Sequence, residues 1–539
     1  MTQDTRSYIL NNIKLPINAS FKEAFSVAKE KLKRLGIKNG SAEMRIFRRS
    51  TDARDKNNII FVYSVLITDT FSENESEKLI KNGFILLEAA TLDTEIGNEQ
   101  LKARPVIIGS GPCGIFAGLM LAEKGYRPII IERGSSVKER QAAVLKFKEE
   151  GILDLNTNIQ FGAGGAGTFS DGKLITRIND KASSYVMQKF VDFGAPSEIL
   201  YLARPHIGTD VLSSVVDRML KKIEELGGEV IYNTTYLDSY SLNGKSYVKT
   251  TKGDFPAGAI ILAIGHSARD TYDTMISRGY NIEAKPISVG MRIEHLREKI
   301  DEAMWGKFAG HSALGSAEYN LSYDTKNRGV YTFCMCPGGE VVPAASEAGG
   351  LVVNGMSGSL RNGKNSNSAV VCSIFKEDYG NTPIAAIEFQ RTIERQAFLA
   401  GGKDFSAPII TVGDFLSDKL SREPRTVLPS YRSGSYVKLA RPSEYLPDFV
   451  CNSIKTALLN FDRKIKGFAS DDAVLTGAET RTSAPIRILR DNETRLLIGS
   501  DNIYPCGEGA GYAGGITSAA IDGLKTALAV IKRFKPFCE

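Results

Sequence analysis

Residues 104–133 read RPVIIGSGPCGIFAGLMLAEKGYRPIIIER. A short apolar run, a glycine-rich turn, an apolar helix-like stretch and a second apolar run ending on an acid make a βαβ unit. Gly109, Gly111 and Gly114 occupy the three glycine positions of GxGxxG. In such a turn the first glycine permits the tight reversal. The second lets the backbone approach a pyrophosphate, and the third lets helix and strand pack closely. Gly118 extends that close packing by one helical turn. The helix N-terminus offers N–H groups and a positive dipole to phosphates. Glu132 ends the second run 18 residues after Gly114, where a carboxylate can accept ribose hydroxyls. Gly109, Ser110, Gly111, Pro112, Cys113, Gly114, Glu132 and Arg133 are therefore the expected contacts to a dinucleotide. A turn that merely joined a strand to a helix would leave Glu132 unexplained.

Downstream of this unit, the pattern predicts a helix over about 210–226, then a strand EVIY. A meander follows through about residue 255, with Tyr236 near its start as a further cofactor contact, and then an apolar strand AGAIILAIG. The stretch from about 285 to 470 is richer in Gly, Ser, Asn and Pro, with mixed helix and strand signals. The chain closes on RLLIGSDNIYPCGEGAGYAGGITSAAIDGLKTALAVI, again strand, glycine turn and helix. The expected layout is a small N-terminal α+β domain over 1–95 and the first part of a nucleotide-binding domain over 96–284. An inserted domain covers 285–470, and the nucleotide-binding domain returns over 471–539. Gly509–Gly514 also spells GxGxxG, but only 25 residues follow it, too few for a helix and an acid-tipped strand. One dinucleotide fold is expected, not two.

In the leading segment, Phe21, Ala24, Phe25, Val27, Ala28 and Leu32 fall at helical spacing from about residue 20 to 35, closed by Gly36. AEMRIFRRS and NNIIFVYSVLIT read as two strands, with Ala53–Asn58 as their turn. Lys29, Lys31, Lys33, Arg34 and Lys38, then Arg45, Arg48, Arg49, Arg54 and Lys56, make this segment basic. A solvated helix and loop surface is the ordinary reading of such runs, and a face for RNA phosphates is the sharper one.

The 539 residues exceed one hydrophobic core, and 42% hydrophobic with 24% charged residues suit a soluble protein. No apolar run approaches the ~18–20 residues of a membrane span. No secretory signal is visible at the start. Seven scattered cysteines do not form a disulfide framework, so a cytoplasmic setting is expected. The net charge of +6 does not itself demand nucleic acid.

The Gly111–Pro112 pair and the Glu132–Arg133 ending resemble the FAD fingerprint of the glutathione reductase superfamily. AIILAIGH at 259–266 resembles its strand beside the FAD phosphates, adding Ala263, Gly265 and His266. YPCGEGAGYAGGI at 504–516 resembles its cap over the ribityl chain and flavin ring, adding Gly507, Glu508, Gly509, Ala510, Gly514, Gly515 and Ile516. Many members of that superfamily carry Asp where Glu508 stands. The loop FGAGGAGTFSDGKL at 161–174 reads as a nest of backbone N–H groups, adding Gly164, Gly165, Ala166, Gly167, Thr168 and Ser170. A flexible linker is its plainer reading. NIQFGAGGAGTFSDGKL, RPHIGTDVL, AIGHSARDT, VYTFCMCPGGEVVPAASE, NGMS and TGAETRTSAPIRI, with the closing YPCGEGAGYAGGITSAAIDG, are similar to one family, the uncharacterised bacterial FAD-dependent dehydrogenases. DARDKNNIIFVYSV resembles that family's leading domain. The resemblance implies an α/β fold: a discontinuous, glutathione-reductase-type FAD-binding Rossmann domain with an inserted α+β domain and a small N-terminal α+β domain. It also implies FAD-dependent oxidoreductase chemistry and supplies no substrate.

Candidate chemical groups are few. Cys334 and Cys336 form a C-x-C pair that could cycle between dithiol and disulfide, although small buried hydrophobes are the plainer reading. His266 is a candidate proton donor, and Lys173 and Arg292 are further candidates. No metal-ligand spacing stands out. An unknown small molecule is the expected substrate, with NAD(P)H a transient reductant and no membrane partner. An FAD-dependent tRNA-modifying or RNA-binding role is the second reading. A flavin-bearing structural or sensory protein is the third.

Overall fold

The computed structural model describes residues 5–37, 42–87, 92, 94–169, 172–174 and 181–537. Ser170, expected among the cofactor contacts, and Lys38 of the basic stretch lie outside the described residues. At the centre is a five-stranded parallel sheet. Its order is Ile503–Pro505, Ile260–Leu262, Val106–Ile108, Ile129–Ile131 and Glu229–Ile231. The strand that begins the glycine fingerprint is the middle one. Alternate residues enter different cores. Ile107, Ile130 and Ile261 pack under the helices Pro112–Glu123, Thr209–Glu225 and Ile516–Arg533. Val106, Ile108, Ile129, Ile131, Ile260 and Leu262 turn to the other side, where Tyr236 and Val248 of an antiparallel meander cover them. Burial on both faces is why these strands read as unbroken apolar runs rather than alternating ones.

The helix Pro112–Glu123 is buried from Cys113 to Ala122, so its neighbours must approach closely. A Cβ added at Gly114 would lie 1.9 Å from the Gly109 carbonyl oxygen, and one at Gly118 would lie 2.8 Å from Ile130 Cδ1. One at Gly523 of the last helix would lie 1.9 Å from the Cys113 carbonyl oxygen. Missing side chains thus set the helix–strand and helix–helix spacing. Each fully buried Ile or Leu in this layer contributes about 1.5–3 kcal/mol relative to exposure.

A second, seven-stranded sheet has the order Ser322–Asp324, Gly329–Cys336, Asn365–Ile374, Ile287–Leu296, Val474–Glu479, Ala407–Thr411 and Val437–Leu439. Every pairing in it is antiparallel except the last. The chain enters this sheet past Ile282–Ala284 and leaves past Ile486–Ile488, and these two short strands pair with each other. Val474–Glu479 lies inside the sheet, beyond the boundary at residue 470 drawn from composition. Composition changes at that point, but strand pairing does not follow composition.

The leading residues form a β-α-β-β-α-β module with the antiparallel order Glu43–Asp52, Ile60–Thr70, Thr5–Pro16 and Phe84–Leu87. Its helix Phe21–Arg34 buries Ala24, Ala28 and Leu32 on the sheet. The first and last strands, and the helix Glu73–Lys81 between the third and fourth, were not anticipated from the sequence. The module docks through Arg49, whose N–H donates to Tyr201 O at 2.7 Å and whose carbonyl accepts from Ala203 N at 2.9 Å. Trp305, Phe308, Ala313 and Leu314 pack against its core. None of its described residues reaches the cavity at the ends of the parallel strands. Deletion of residues 1–95 is therefore expected to leave flavin content intact while lowering the melting temperature, because those four apolar contacts become exposed. Flavin absorbance per chain and a thermal melt check both halves, and a colourless truncated protein would show that the module completes the cofactor site.

Candidate functional site

The carboxyl ends of four parallel strands open onto a cavity of about 350 Å³, the place where open α/β sheets bind ligands. Gly109, Glu132, Ala263 and Gly507 follow those strand ends and line it. Two helices begin at its wall. Gly111 caps the helix Pro112–Glu123, with proline at the first helical position, and Gly515 caps the helix Ile516–Arg533. Each first turn leaves N–H groups without intrahelical acceptors and presents the positive end of a dipole.

The glycines divide into two kinds. Gly109, at φ +101°, is needed for packing, since an added Cβ would lie 2.5 Å from the Ala263 carbonyl oxygen. At Gly265 and Gly514 an added Cβ would meet nothing within 4 Å, and at Gly515 only Ser518 Oγ at 4.0 Å. There the backbone itself forms the cavity surface, a cradle that side chains would fill. A pyrophosphate or ribityl chain between two helix N-termini suits this donor set.

The loop at 161–169 is built against the fingerprint. Gly164 N donates to Ser110 O at 2.9 Å, and a Cβ on Gly165 would lie 2.9 Å from Gly111 Cα. Fully buried Arg140 holds the loop from behind, donating to the carbonyls of Asn158, Ile159, Gly162 and Ala163. Burial lowers its pKa to about 9. Glu132 is braced more than the sequence suggested. One carboxylate oxygen accepts from Ser110 N and Oγ at 2.9 and 2.6 Å, the other from Gly134 N and Gly162 N at 2.9 and 3.0 Å. Four donors use the ordinary capacity of a carboxylate, so its first task is to fix the turn and the loop together. A ribose hydroxyl would have to share or replace one of these donors.

Most of the expected cofactor contacts line the cavity. Ser110, Gly114, Gly164, Thr168, Gly509 and Ala510 stand behind its wall. Arg133 lines it while paired with Asp270 at 2.6 Å and lying over the Phe161 ring at 4.5 Å. Tyr236 presents its ring and binds Ser239 Oγ through its hydroxyl at 3.2 Å. His266 Nδ1 lies 3.6 Å from Glu508 Oε1, and its buried Nε2 has no hydrogen-bond partner.

The opposite wall comes from the seven-stranded sheet and its flanks. Phe333, Cys334, Asn354, Glu479, Arg481 and Thr482 line it together with Lys173, which donates to Met335 O. Pairing breaks between Phe333 and Cys336, and Cys334 sits at φ +42°, so a bulge re-aims this strand at the cavity. Cys334 lines the cavity with an exposed surface, and the partial loss of hydration there pushes its thiol up to about 12. Cys336 is buried behind it, and its Sγ lies 3.6 Å from Arg292 Nη2. Arg292 is also behind the wall. It donates to Asn367 Oδ1 at 2.8 Å, Cys334 O at 2.6 Å and Glu479 Oε2 at 3.1 Å. Burial raises the Glu479 carboxyl above its ordinary range despite the pull of Arg292. Arg481 donates to both oxygens of buried Glu394 and to Ser267 and Ser346.

Glu479, Arg481, Asn354 and Arg140 were not among the sequence candidates. The first three lie inside stretches that carry the family resemblance, yet nothing in their spacing relates them to the fingerprint. Of the basic leading residues, Arg49 is packed over Phe61 at 4.8 Å and Arg54 is paired with Asp52. No described helix is long and apolar enough to cross a membrane.

Residues 286–482 match the family described as "FAD-dependent protein, C-terminal domain-like", and residues 9–68 match a domain of unknown function, DUF8436. Among solved structures, CtdE in complex with FAD aligns at a TM-score of 0.32 and 12% identity, over 81% of this chain and 84% of that one. L-proline dehydrogenase from P. horikoshii aligns at 0.33 and 12%, over 79% and 93%. Scores this low carry no argument. A protein of Clostridium beijerinckii described as "Uncharacterized protein" is 44% identical over 533 residues, spanning 96% of this chain and 98% of its own. With that identity along nearly the whole of both chains, the protein belongs to the family of this clostridial protein, and its residues 286–482 match a domain described as FAD-dependent.

Proposed function

We propose that the protein is an FAD-dependent oxidoreductase that holds the cofactor along the glycine-lined wall and a small substrate against the wall from the seven-stranded sheet. The observation that carries this reading is the meeting of two helix N-termini and open glycine backbone on one side of a single cavity. When bound, FAD supplies hydride chemistry. The chain's own residues bind, orient and handle protons. Gly111, Gly265, Gly514 and Gly515 present backbone to the cofactor. Glu479 is the buried carboxyl best placed to take or give a proton at the substrate wall, and Arg292 orients it. Cys334, with its thiol held high, packs against the substrate rather than attacking it. With one parallel nucleotide-binding sheet among the described residues, a nicotinamide reductant enters the same space as the substrate and competes with it.

The RNA-linked reading has less support, because Arg49 of the basic stretch is packed over Phe61 within the protein. The test is to denature the purified protein and chromatograph what is released. The expected result is FAD, about one per chain, since the Gly109–Gly114 turn at a helix N-terminus suits the pyrophosphate of a dinucleotide. Release of FMN, or a colourless protein that does not take up added FAD, overturns the reading.

A further inference from the structure

Cys113 and Cys506 are 393 positions apart in sequence, yet their sulfur atoms lie 3.2 Å apart. Both are free and buried. Cys113 is the second residue of the helix that begins at the fingerprint turn. Cys506 follows the strand Ile503–Pro505 and precedes the glycine loop that leads to the last helix. The surroundings keep the two segments tight. Cys506 N donates to Leu262 O at 3.0 Å, and a Cβ on Gly507 would lie 2.9 Å from both Cβ and Sγ of Cys113. Nothing in the proposed reaction uses either thiol.

We propose that Cys113 and Cys506 form a redox-active dithiol that peroxide oxidises to a disulfide, fastening the fingerprint turn to the adjoining glycine loop on the same wall of the cofactor cradle. The fastening rests on the FAD reading above; the disulfide does not. Cys113 borders the cavity while Cys506 is fully buried, so peroxide admitted when the cradle opens reaches Cys113 first, and Cys506 stands behind as the resolving thiol. The Cys113 thiolate attacks the peroxide O–O bond. An S–O bond forms, the O–O bond breaks, and the departing oxygen leaves as water. The Cys506 sulfur then displaces the hydroxyl from Cys113. The S–S bond forms, the S–O bond breaks, and a second water leaves. Two thiols and one hydrogen peroxide become one disulfide and two waters, with two electrons passing from sulfur to oxygen. The sulfurs need only close to about 2.05 Å. Burial pushes the Cys113 thiol well above the usual range, so the reaction is slow at neutral pH and quickens as pH rises.

The test treats the FAD-loaded full chain with hydrogen peroxide at pH 7 and pH 9, then alkylates it under denaturing conditions and maps its peptides. The expected result is a linked Cys113–Cys506 peptide, formed faster at pH 9 and reversed by dithiothreitol. Flavin release from the oxidised protein should be about tenfold slower, because tying the segments removes an opening motion. Cys113→Ser and Cys506→Ser should each abolish the link, so a folding failure in one leaves the other as control. Oxidation of Cys334 while Cys113 and Cys506 stay unlinked overturns the proposal and makes them packing residues. A link that leaves flavin release unchanged overturns the fastening. A protein that forms the link but binds no FAD retires the cofactor reading and upholds the dithiol.

Discussion

Gly111→Val is expected to give a folded, colourless protein. Gly111 sits at φ −70° and ψ 179°, which any residue adopts, and a Cβ there would first meet Gly165 Cα at 3.8 Å, ordinary contact. The backbone therefore tolerates a side chain. The two methyls of valine would then stand over the helix N-terminus, between the turn and the Gly165 loop, in space that a pyrophosphate needs. An affinity loss of about a hundredfold or more, ~2.7 kcal/mol, is expected from that obstruction. Loss of the glycine N-cap costs about 1 kcal/mol of stability. Flavin absorbance, titration of the apoprotein with FAD and a thermal melt separate the two effects. Gly114→Ala is the contrasting control, because its Cβ would lie 1.9 Å from the Gly109 carbonyl oxygen and disturb the fold along with the flavin. Full flavin content in the Gly111→Val protein would place the cofactor elsewhere.

Arg292→Leu is expected to destabilise the fold by about 3–5 kcal/mol, because it leaves a buried carboxylate without its cation. Arg292 and Glu479 are 0% and 4% exposed and lie 3.1 Å apart. The pH dependence identifies the cause. Glu479 has a raised value in the folded protein, so between the ordinary carboxylate range and that raised value the folded chain binds more protons than the unfolded chain. Stability therefore falls as pH rises through that window. Removing Arg292 takes away the charge that pulls the value down, which extends the window upward. The deficit of the variant should be small near pH 5 and should grow through neutrality. Urea unfolding at several pH values measures it. Adding Glu479→Gln to the variant should recover much of the loss at pH 8, since an amide needs no cation. A deficit that does not change with pH would mean that Arg292 acts through Asn367 and the Cys334 carbonyl instead.

Whatever depends on near neighbours could be read from the order of residues alone. The spacing of Gly109, Gly111 and Gly114 between two apolar runs specified strand, turn and helix, and Gly114 answers a demand made five residues back by the Gly109 carbonyl, whereas Gly109 answers the distant Ala263 carbonyl. The unbroken apolar runs announced strands covered on both faces. The closing glycine turn and its helix were legible for the same reason. Which distant segments share a wall emerged only from the closed fold. Glu479 stands far beyond Gly109 in the chain and meets the cavity because Val474–Glu479 pairs with Ile287–Leu296. Its raised carboxyl value comes from burial, against the pull of Arg292, and no local pattern encodes the burial of a carboxyl at this position. The four donors that fill Glu132 include Gly162, on a loop that composition could present as a linker. The approach of Cys113 to Cys506 depends on a Cβ missing at Gly507 and at Gly523. Periodicity reports which way a residue faces along its own strand or helix, whereas desolvation and contact between distant residues exist only once the chain has closed on itself.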